Sequence, residues 1–496
     1  MLFEIIILVL TTIVGYYLYA YKRIHTHFEQ RGVKFIPGVP LFGNVLGLTF
    51  LKKHFFDELD DVYNAFPNER YVGFLEFTLP VILVRDPELI KTIVVKDFDH
   101  FTDHREILSE ELDPLFAGSL LLMKGEKWHD MRTTLSPAFT SSKMKYILPL
   151  MSDITNNIVE YLYEQQGQDI DVDDLMRRYT TDVIASAAFG LQVNSLKDRD
   201  NQFHKMGNEL FDLTIRQRLL FILVTQFPQF GKKLGIRIFS DRAYDFFSNI
   251  VATSMEYRKR EKIERPDMKY IQLLIEAKRE WTPEEITSQA FIFFFAGFET
   301  SASALVMAIH ELALNPAIQD KLYQECRKYK EHRVLAFENL TEMKYLDAVI
   351  NGILRKWSPA IILDRTCTKA YELPPPRPDP RREVKPGDIL YNSVNSIHMD
   401  PKYWADPHKF DPDRFLEENK VKIKPFTFTP FGGGPRACIG VRYAMMMLKV
   451  LLFNIILNLK IIKTSKTSEI IKLKPHNFNI RAVNGTFVRF EKRILE

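Results

Sequence analysis

Three cysteines occur in the 496 residues, Cys326, Cys367 and Cys438, and the last has neighbours that point to chemistry. It lies in Phe431-Gly432-Gly433-Gly434-Pro435-Arg436-Ala437-Cys438-Ile439-Gly440. Four glycines and a proline make a poor helix and a poor strand, but a tight loop whose backbone can approach a flat ligand closely. A helix-like stretch from Tyr443 to Leu452 follows, and its first amides would favour a thiolate. An anionic sulfur held by backbone donors suits an axial ligand to haem iron, where thiolate donation promotes O–O cleavage. On composition alone, a small buried inert cysteine is the commoner fate. An odd, sparse set without a CxxC pair builds neither a disulfide framework nor a structural zinc site, and fits a reducing compartment.

The second constellation is Ala296-Gly297-Phe298-Glu299-Thr300-Ser301. It falls inside a helix whose limits are written in the chain. Thr282-Pro283-Glu284-Glu285 supplies a capping threonine, a first-turn proline and a glutamate three residues after the cap, and Asn315-Pro316 is a stop. Between them Phe291 to Ala296 is apolar on every face, which predicts a buried helix. A carboxylate there is costly unless paired. Either Glu299 and Thr300 handle protons, or Thr300 bonds its own helix carbonyl and Glu299 satisfies a neighbouring loop.

The ordered pattern F-x-x-G-x-R-x-C-x-G resembles the signature of the cytochrome P450 family, with Phe431, Gly434, Arg436, Cys438 and Gly440 on its positions. The resemblance extends over essentially the whole chain and is nearest to insect microsomal members associated with detoxification. It implies a mainly α fold with a minor β-sheet region (α+β), with haem b held by the Cys438 thiolate. Ala296 and Gly297 would leave room for dioxygen, and Thr300 with Glu299 would deliver protons, which O–O cleavage requires in a site that excludes water. Trp128 and Arg132, matching W-x-x-x-R, together with Arg105, Arg365 and Arg436, would hold the haem propionates. Phe298, Ala360, Ile361 and Ile362 would line an apolar substrate pocket.

The same resemblance implies a monooxygenase that inserts one oxygen atom from O2 into a lipophilic substrate, xenobiotic or lipid and hormone. Electrons would come from NADPH–cytochrome P450 reductase, with cytochrome b5 as a further candidate. Lys422, Lys424 and Lys449 would form a basic face for an acidic reductase. A haem-thiolate isomerase or dehydratase is a rival reading, and Thr300 argues against it.

One position departs from the family. Its E-x-x-R helix reads Asn351-Gly352-Ile353-Leu354-Arg355 here, so Gly352 stands where a glutamate is expected. The E-x-x-R spelling at Glu276 to Arg279 precedes the oxygen-side helix and does not substitute. Glycine inside a helix costs ~1 kcal/mol relative to alanine, and losing one partner of a buried ion network costs roughly 3–5 kcal/mol. Arg355 and Arg414, in Phe410-Asp411-Pro412-Asp413-Arg414-Phe415, are left as like charges without their shared carboxylate. A haem-poor or inactive membrane-bound binder is therefore the alternative function, and an allelic or sequencing change is an equal explanation of the glycine.

These residues must be positioned by the rest of the chain. Ile5 to Tyr21 carries no charge and reads as an uncleaved membrane anchor over residues 1–21, since a signal peptide would want a basic start and a small-residue cleavage site. Lys22, Arg23 and Arg31 follow, placing the remainder on the cytoplasmic side of the endoplasmic reticulum membrane. Residues 22–45 read as a basic linker ending in a stiff elbow, Phe35-Ile36-Pro37-Gly38-Val39-Pro40 to Gly43-Asn44, and residues 46–496 as the catalytic domain. Tyr71 to Phe74 and Val81 to Val84 are short strands, the second closed by Asp86-Pro87; helix dominates downstream of Lys124. Leu219 to Val224 reads first as a core helix, and alternatively as an apolar patch dipping into the bilayer with Lys232 and Lys233 at headgroup level. A net charge of +4, with 67 basic residues spread among 63 acidic ones, excludes nucleic acid as a partner.

Overall fold

The computed structural model describes residues 2–39, 42–212, 214–261, 270–330, 335–374, 382–475 and 479–493. Pro40 and Leu41, within the expected elbow, lie outside them. The chain divides into two compact units, the first made of Met1–Arg105, Ala360–Tyr403 and Pro425–Ala437, the second of the rest. The fold class is as expected, mainly α with small sheets.

The first unit holds a four-stranded sheet. Strands Tyr71–Glu76 and Leu79–Val84 form an antiparallel hairpin; Leu79–Val84 then runs parallel to Ile389–Ser393, which pairs antiparallel with Ile362–Thr366. Phe74, Val81, Leu83, Leu390 and Tyr391 are buried in its core. Asp86 closes the second strand by capping the helix Pro87–Lys91, its Oδ1 accepting from the amides of Glu88 (2.8 Å) and Leu89 (3.2 Å).

The apolar N-terminus is a single helix, Leu2–Gln30, so it continues nine residues past the boundary expected at residue 21. Leu8, Val14, Leu18 and Tyr19 are exposed along it, whereas Phe28 is fully buried in the first unit's core, stacked on Phe35 at 5.0 Å. Arg31 then donates to Asp388 Oδ2 (3.1 Å) and to the Glu383 carbonyl (3.0 Å). The elbow is stiff. Asn44 exchanges two bonds with Leu75, backbone amide to carbonyl and backbone amide to Oδ1, both at 2.7 Å.

The second unit is built on the helix Pro283–Leu314. Its N-terminus is the anticipated capping box: the Glu285 amide donates to Thr282 Oγ1 at 3.2 Å, and the Thr282 amide donates to Glu285 Oε2 at 2.9 Å. Asn315 ends it, Nδ2 donating to the Glu311 carbonyl at 2.8 Å. The helices Val172–Phe189 and Val441–Asn458 pack against it, and a small sheet joins Ile170–Asp171, Phe487–Lys492 and Leu459–Lys463. Pro283–Leu314 and Val441–Asn458 are each long and apolar enough to cross a membrane, but both are mostly buried within the protein.

The segment Leu219 to Val224 corrects the first expectation. It lies in the helix Ile215–Gln226, of which only Val224 is buried. Ile215, Leu219, Phe227, Phe230 and Leu234 present their side chains to solvent. An unbroken apolar run gives no periodicity from which exposure can be read.

Candidate active site

Cys438 differs from the other cysteines in the way its proposed role requires. Cys326 and Cys367 are buried, whereas Cys438 is accessible. Protein still surrounds it closely enough that desolvation pushes its thiol pKa up, while the Gly440 amide and the Arg132 guanidinium pull it back. Gly440 is the N-cap of the helix Val441–Asn458, so the amide at the sulfur comes from the helix start, as the sequence suggests. On the other side of the loop, Gly434 has φ +69° and a Cβ built there would stand 1.8 Å from the Val94 carbonyl oxygen. No other residue fits that approach. Phe431 is half-buried beside it.

The candidate propionate ligands divide between the units. In the first, Arg436 donates from Nε to the Thr102 carbonyl (2.9 Å) and from Nη2 to Asp103 Oδ1 (3.3 Å). Desolvation lowers its pKa to about 9, Asp103 opposing and the nearby charge of Arg365 adding to the fall. Arg365 is itself 4% exposed, and its Nε has no hydrogen-bond partner among the described residues. Two buried guanidiniums, both lowered by desolvation and one lowered further by the other's charge, suit an added carboxylate. Arg105 has other partners: Nη1 donates to Glu76 Oε2 at 2.8 Å and to the Tyr391 hydroxyl at 2.7 Å. In the second unit Trp128 and Arg132 are one turn apart on the helix Gly125–Leu135, the tryptophan buried and the arginine half-buried.

Beyond the exposed first turn of the mostly buried helix Pro283–Leu314, Ala296 and Thr300 are exposed and Gly297 is half-buried. They form an accessible strip one turn long. Thr300 Oγ1 donates to the Ala296 carbonyl at 2.5 Å, so its oxygen keeps lone pairs for another donor. Glu299 points elsewhere, since consecutive helical residues diverge by about 100°. It is buried, with Arg481 Nε donating to Oε1 at 2.5 Å and Arg177 Nη2 to Oε2 at 3.1 Å. Motif reading did not find Arg177, Arg481 or their shared partner Asp212, which lie far apart in the chain and match no pattern.

Three further expectations change. Phe298 is core rather than pocket lining, fully buried and stacked on Phe294 at 5.5 Å; Ile361 is also buried, while Ala360 and Ile362 are half-buried. Lys449 is buried, donating to Asp347 Oδ1 (2.7 Å) and the Leu340 carbonyl (2.6 Å), and is no part of a docking face; Lys422 and Lys424 are exposed. Around Gly352, Arg355 is 1% exposed and donates to the carbonyls of Pro407 (2.7 Å) and Lys409 (3.1 Å). Burial and then Arg414 lower its pKa to about 10, against the pull of Asp411, Glu311 and Asp406. The missing glutamate is thus partly offset by dispersed carboxylates.

The model of the family described as "Cytochrome P450" matches residues 34–486. The chain belongs to the cytochrome P450 family. It is 38% identical to the probable cytochrome P450 9f2 of Drosophila melanogaster, covering 94% of this chain and 95% of that one. It is likewise 38% identical to cytochrome P450 9e2 of Blattella germanica, with 95% and 94% covered, and 36% identical to cytochrome P450 9b2 of Drosophila melanogaster, with 97% and 98% covered. As a P450, the protein is a monooxygenase of the haem-thiolate class, a class that works with O2, a redox partner and lipophilic substrates.

Proposed function

We propose that the protein is a membrane-bound P450 that carries haem b on Cys438 and oxidises lipophilic xenobiotics, with lipids or hormones as the other substrate class. Its electrons come from NADPH–cytochrome P450 reductase, with cytochrome b5 as a second donor, on the cytoplasmic face of the endoplasmic reticulum. The observation that carries this reading is that Cys438 is the accessible one of the three cysteines and sits at a helix N-terminus.

When bound, the haem would supply the activation of O2, from which one oxygen atom goes to the substrate and the other leaves as water with electrons from the reductase. The chain's own residues do the rest. Burial raises the Cys438 thiol pKa, and the Gly440 amide and Arg132 oppose that rise, the direction a thiolate ligand needs. Arg365 and Arg436 in the first unit, and Trp128 and Arg132 in the second, offer cationic and N–H partners to propionates. Ala296 and Gly297 leave space along their helix. Thr300 holds a proton that its hydroxyl can pass from the accessible strip, with Glu299 as the acid that replenishes it.

The exposed apolar length of Leu2–Gln30 supports a membrane anchor, and the exposed Ile215, Leu219, Phe227 and Phe230 support a second contact with the bilayer. The alternative, a haem-poor membrane-bound binder of lipophiles, rests on Gly352. One measurement separates the two: the ferrous–CO spectrum with haem quantified per chain. The strongly red-shifted band of a thiolate-ligated haem is expected in the parent, in Cys326→Ser and in Cys367→Ser, and is lost in Cys438→Ser. A parent without that band is the binder.

A further inference from the structure

Both guanidiniums that hold Glu299 are shared with a second carboxylate. Arg481 Nη1 donates to Asp212 Oδ1 at 2.7 Å, and Arg177 Nη1 stands 3.5 Å from Asp212 Oδ2. The Glu299, Arg177 and Arg481 side chains are 2%, 11% and 6% exposed, whereas that of Asp212 is 52% exposed, at the edge of a polar pocket of ≈ 440 Å³. Arg481 Nη2, buried in the same place, has no hydrogen-bond partner among the described residues.

The residue before Asp212 belongs to a different environment. Phe211 ends the helix Gln202–Phe211 and stacks on Phe295 with ring centroids 4.4 Å apart and planes 22° apart. Phe295 adjoins Ala296 in the chain, at the start of the accessible strip. Phe116 and Phe239 meet Phe295 at 5.7 and 5.9 Å, and all four rings are half-buried. Consecutive Cα atoms are held ~3.8 Å apart, so Phe211 cannot leave its stack without carrying the Asp212 backbone along.

We infer that Asp212 is a positioning residue that couples the Phe211–Phe295 stack to the proton on Glu299, so that an apolar ligand wedged against Phe295 shifts Glu299 towards its ionised form. This rests on the reading of Glu299 as the acid behind Thr300. With Asp212 in place, its charge and its claim on the two arginines favour protonated Glu299; when it withdraws, both guanidiniums turn to Glu299 and favour the carboxylate.

The other charges around Glu299 come from several elements, and His204, which pairs with Asp174, shares the Phe211 helix. Asp173 opposes ionisation of Glu299 from the helix Val172–Phe189, where Asp174 is engaged by Arg178 and His204. Arg218, Lys474 and Asp171 line the outer pocket. Burial first, then Arg177 pulling down and Asp212 and Asp173 pushing up, place the Glu299 pKa at about 8, within reach of working pH.

The test is an infrared pH titration of the protonated-carboxyl band in the full-length holoprotein, with the ferrous–CO spectrum recorded on every sample. The parent should show a band titrating near pH 8 that Glu299→Gln removes. Asp212→Asn should lower its midpoint by about one pH unit or more, a tenfold change in proton affinity. Asp212→Glu should keep the parent midpoint, and Phe211→Ala should lower it at least half as far as Asp212→Asn. An unmoved midpoint in Asp212→Asn, a midpoint in Phe211→Ala equal to the parent's, or a parent-minus-Glu299→Gln difference spectrum (in which the Asp182 carboxyl cancels) with no band titrating near pH 8 overturns the inference. A parent lacking the red-shifted CO band overturns the proposed function instead.

Discussion

At the scale of single residues, chemistry here depends on which side chains the fold leaves accessible. Cys438 and Thr300 reach open space while chemically similar neighbours are packed away. Gly434 shows how narrow the tolerance is. Gly434→Ala would force its Cβ into the Val94 carbonyl at positive φ, so it should destabilise the protein by at least ~2–3 kcal/mol and lower haem content, measured by thermal melt and by haem per chain. Asp182 gives a pH prediction. It is buried, accepts from the Ser195 amide on both oxygens at 3.0 Å, and desolvation pushes its pKa up to about 7. The folded state therefore binds a proton that the unfolded chain has released, and stability falls as pH rises from about 4 to 7. Asp182→Asn keeps an acceptor for Ser195 without the charge. Its melting temperature should gain on the parent's across that window, by the equivalent of roughly 4 kcal/mol, and a constant difference would refute the assignment.

Elements position these residues by local rules that hold well here. The capping box at Thr282 and the stop at Asn315 fixed both ends of the helix that carries Ala296 to Thr300. The helix Lys344–Lys356 is where such rules are broken, since Gly352 is buried in its interior. A Cβ there would lie 3.1 Å from Phe410 Cε2, so a larger residue requires that ring edge to yield by a few tenths of an ångström. Gly352→Glu should still raise haem content and melting temperature, because it restores helix propensity, worth ~1 kcal/mol, and gives Arg355 and Arg414 a common carboxylate. Unchanged occupancy and melting temperature would show that Asp411, Glu311 and Asp406 already compensate.

For the whole molecule, the proposed membrane attachment rests on the N-terminal helix and on a second apolar surface. The Leu2–Gln30 helix spans roughly 43 Å at 1.5 Å per residue, and its last turns are fastened to the first unit by Phe28 and Arg31. Removal of residues 2–21 should release most of the protein from microsomal membranes into the soluble fraction. The remainder should be released by adding Leu219→Ser and Phe230→Ser, read by sedimentation; a truncated protein that still sediments fully with both serines would refute the second contact.

Sequence by itself determined what is local or carried by an ordered motif: the family, the thiolate candidate, the capped central helix, the hairpin strands and the apolar start. Exposure along Leu219 to Val224 was not legible, because an apolar run reads alike inside a core and on a surface. Neither was the setting of Glu299. Its partners Arg177 and Arg481 are separated by 304 positions in the chain, and only tertiary packing brings both within hydrogen-bond reach of one carboxylate. Side-chain type and spacing fix which chemistry is available; burial and long-range charge, which depend on segments distant in the chain, decide the protonation state in which it is held.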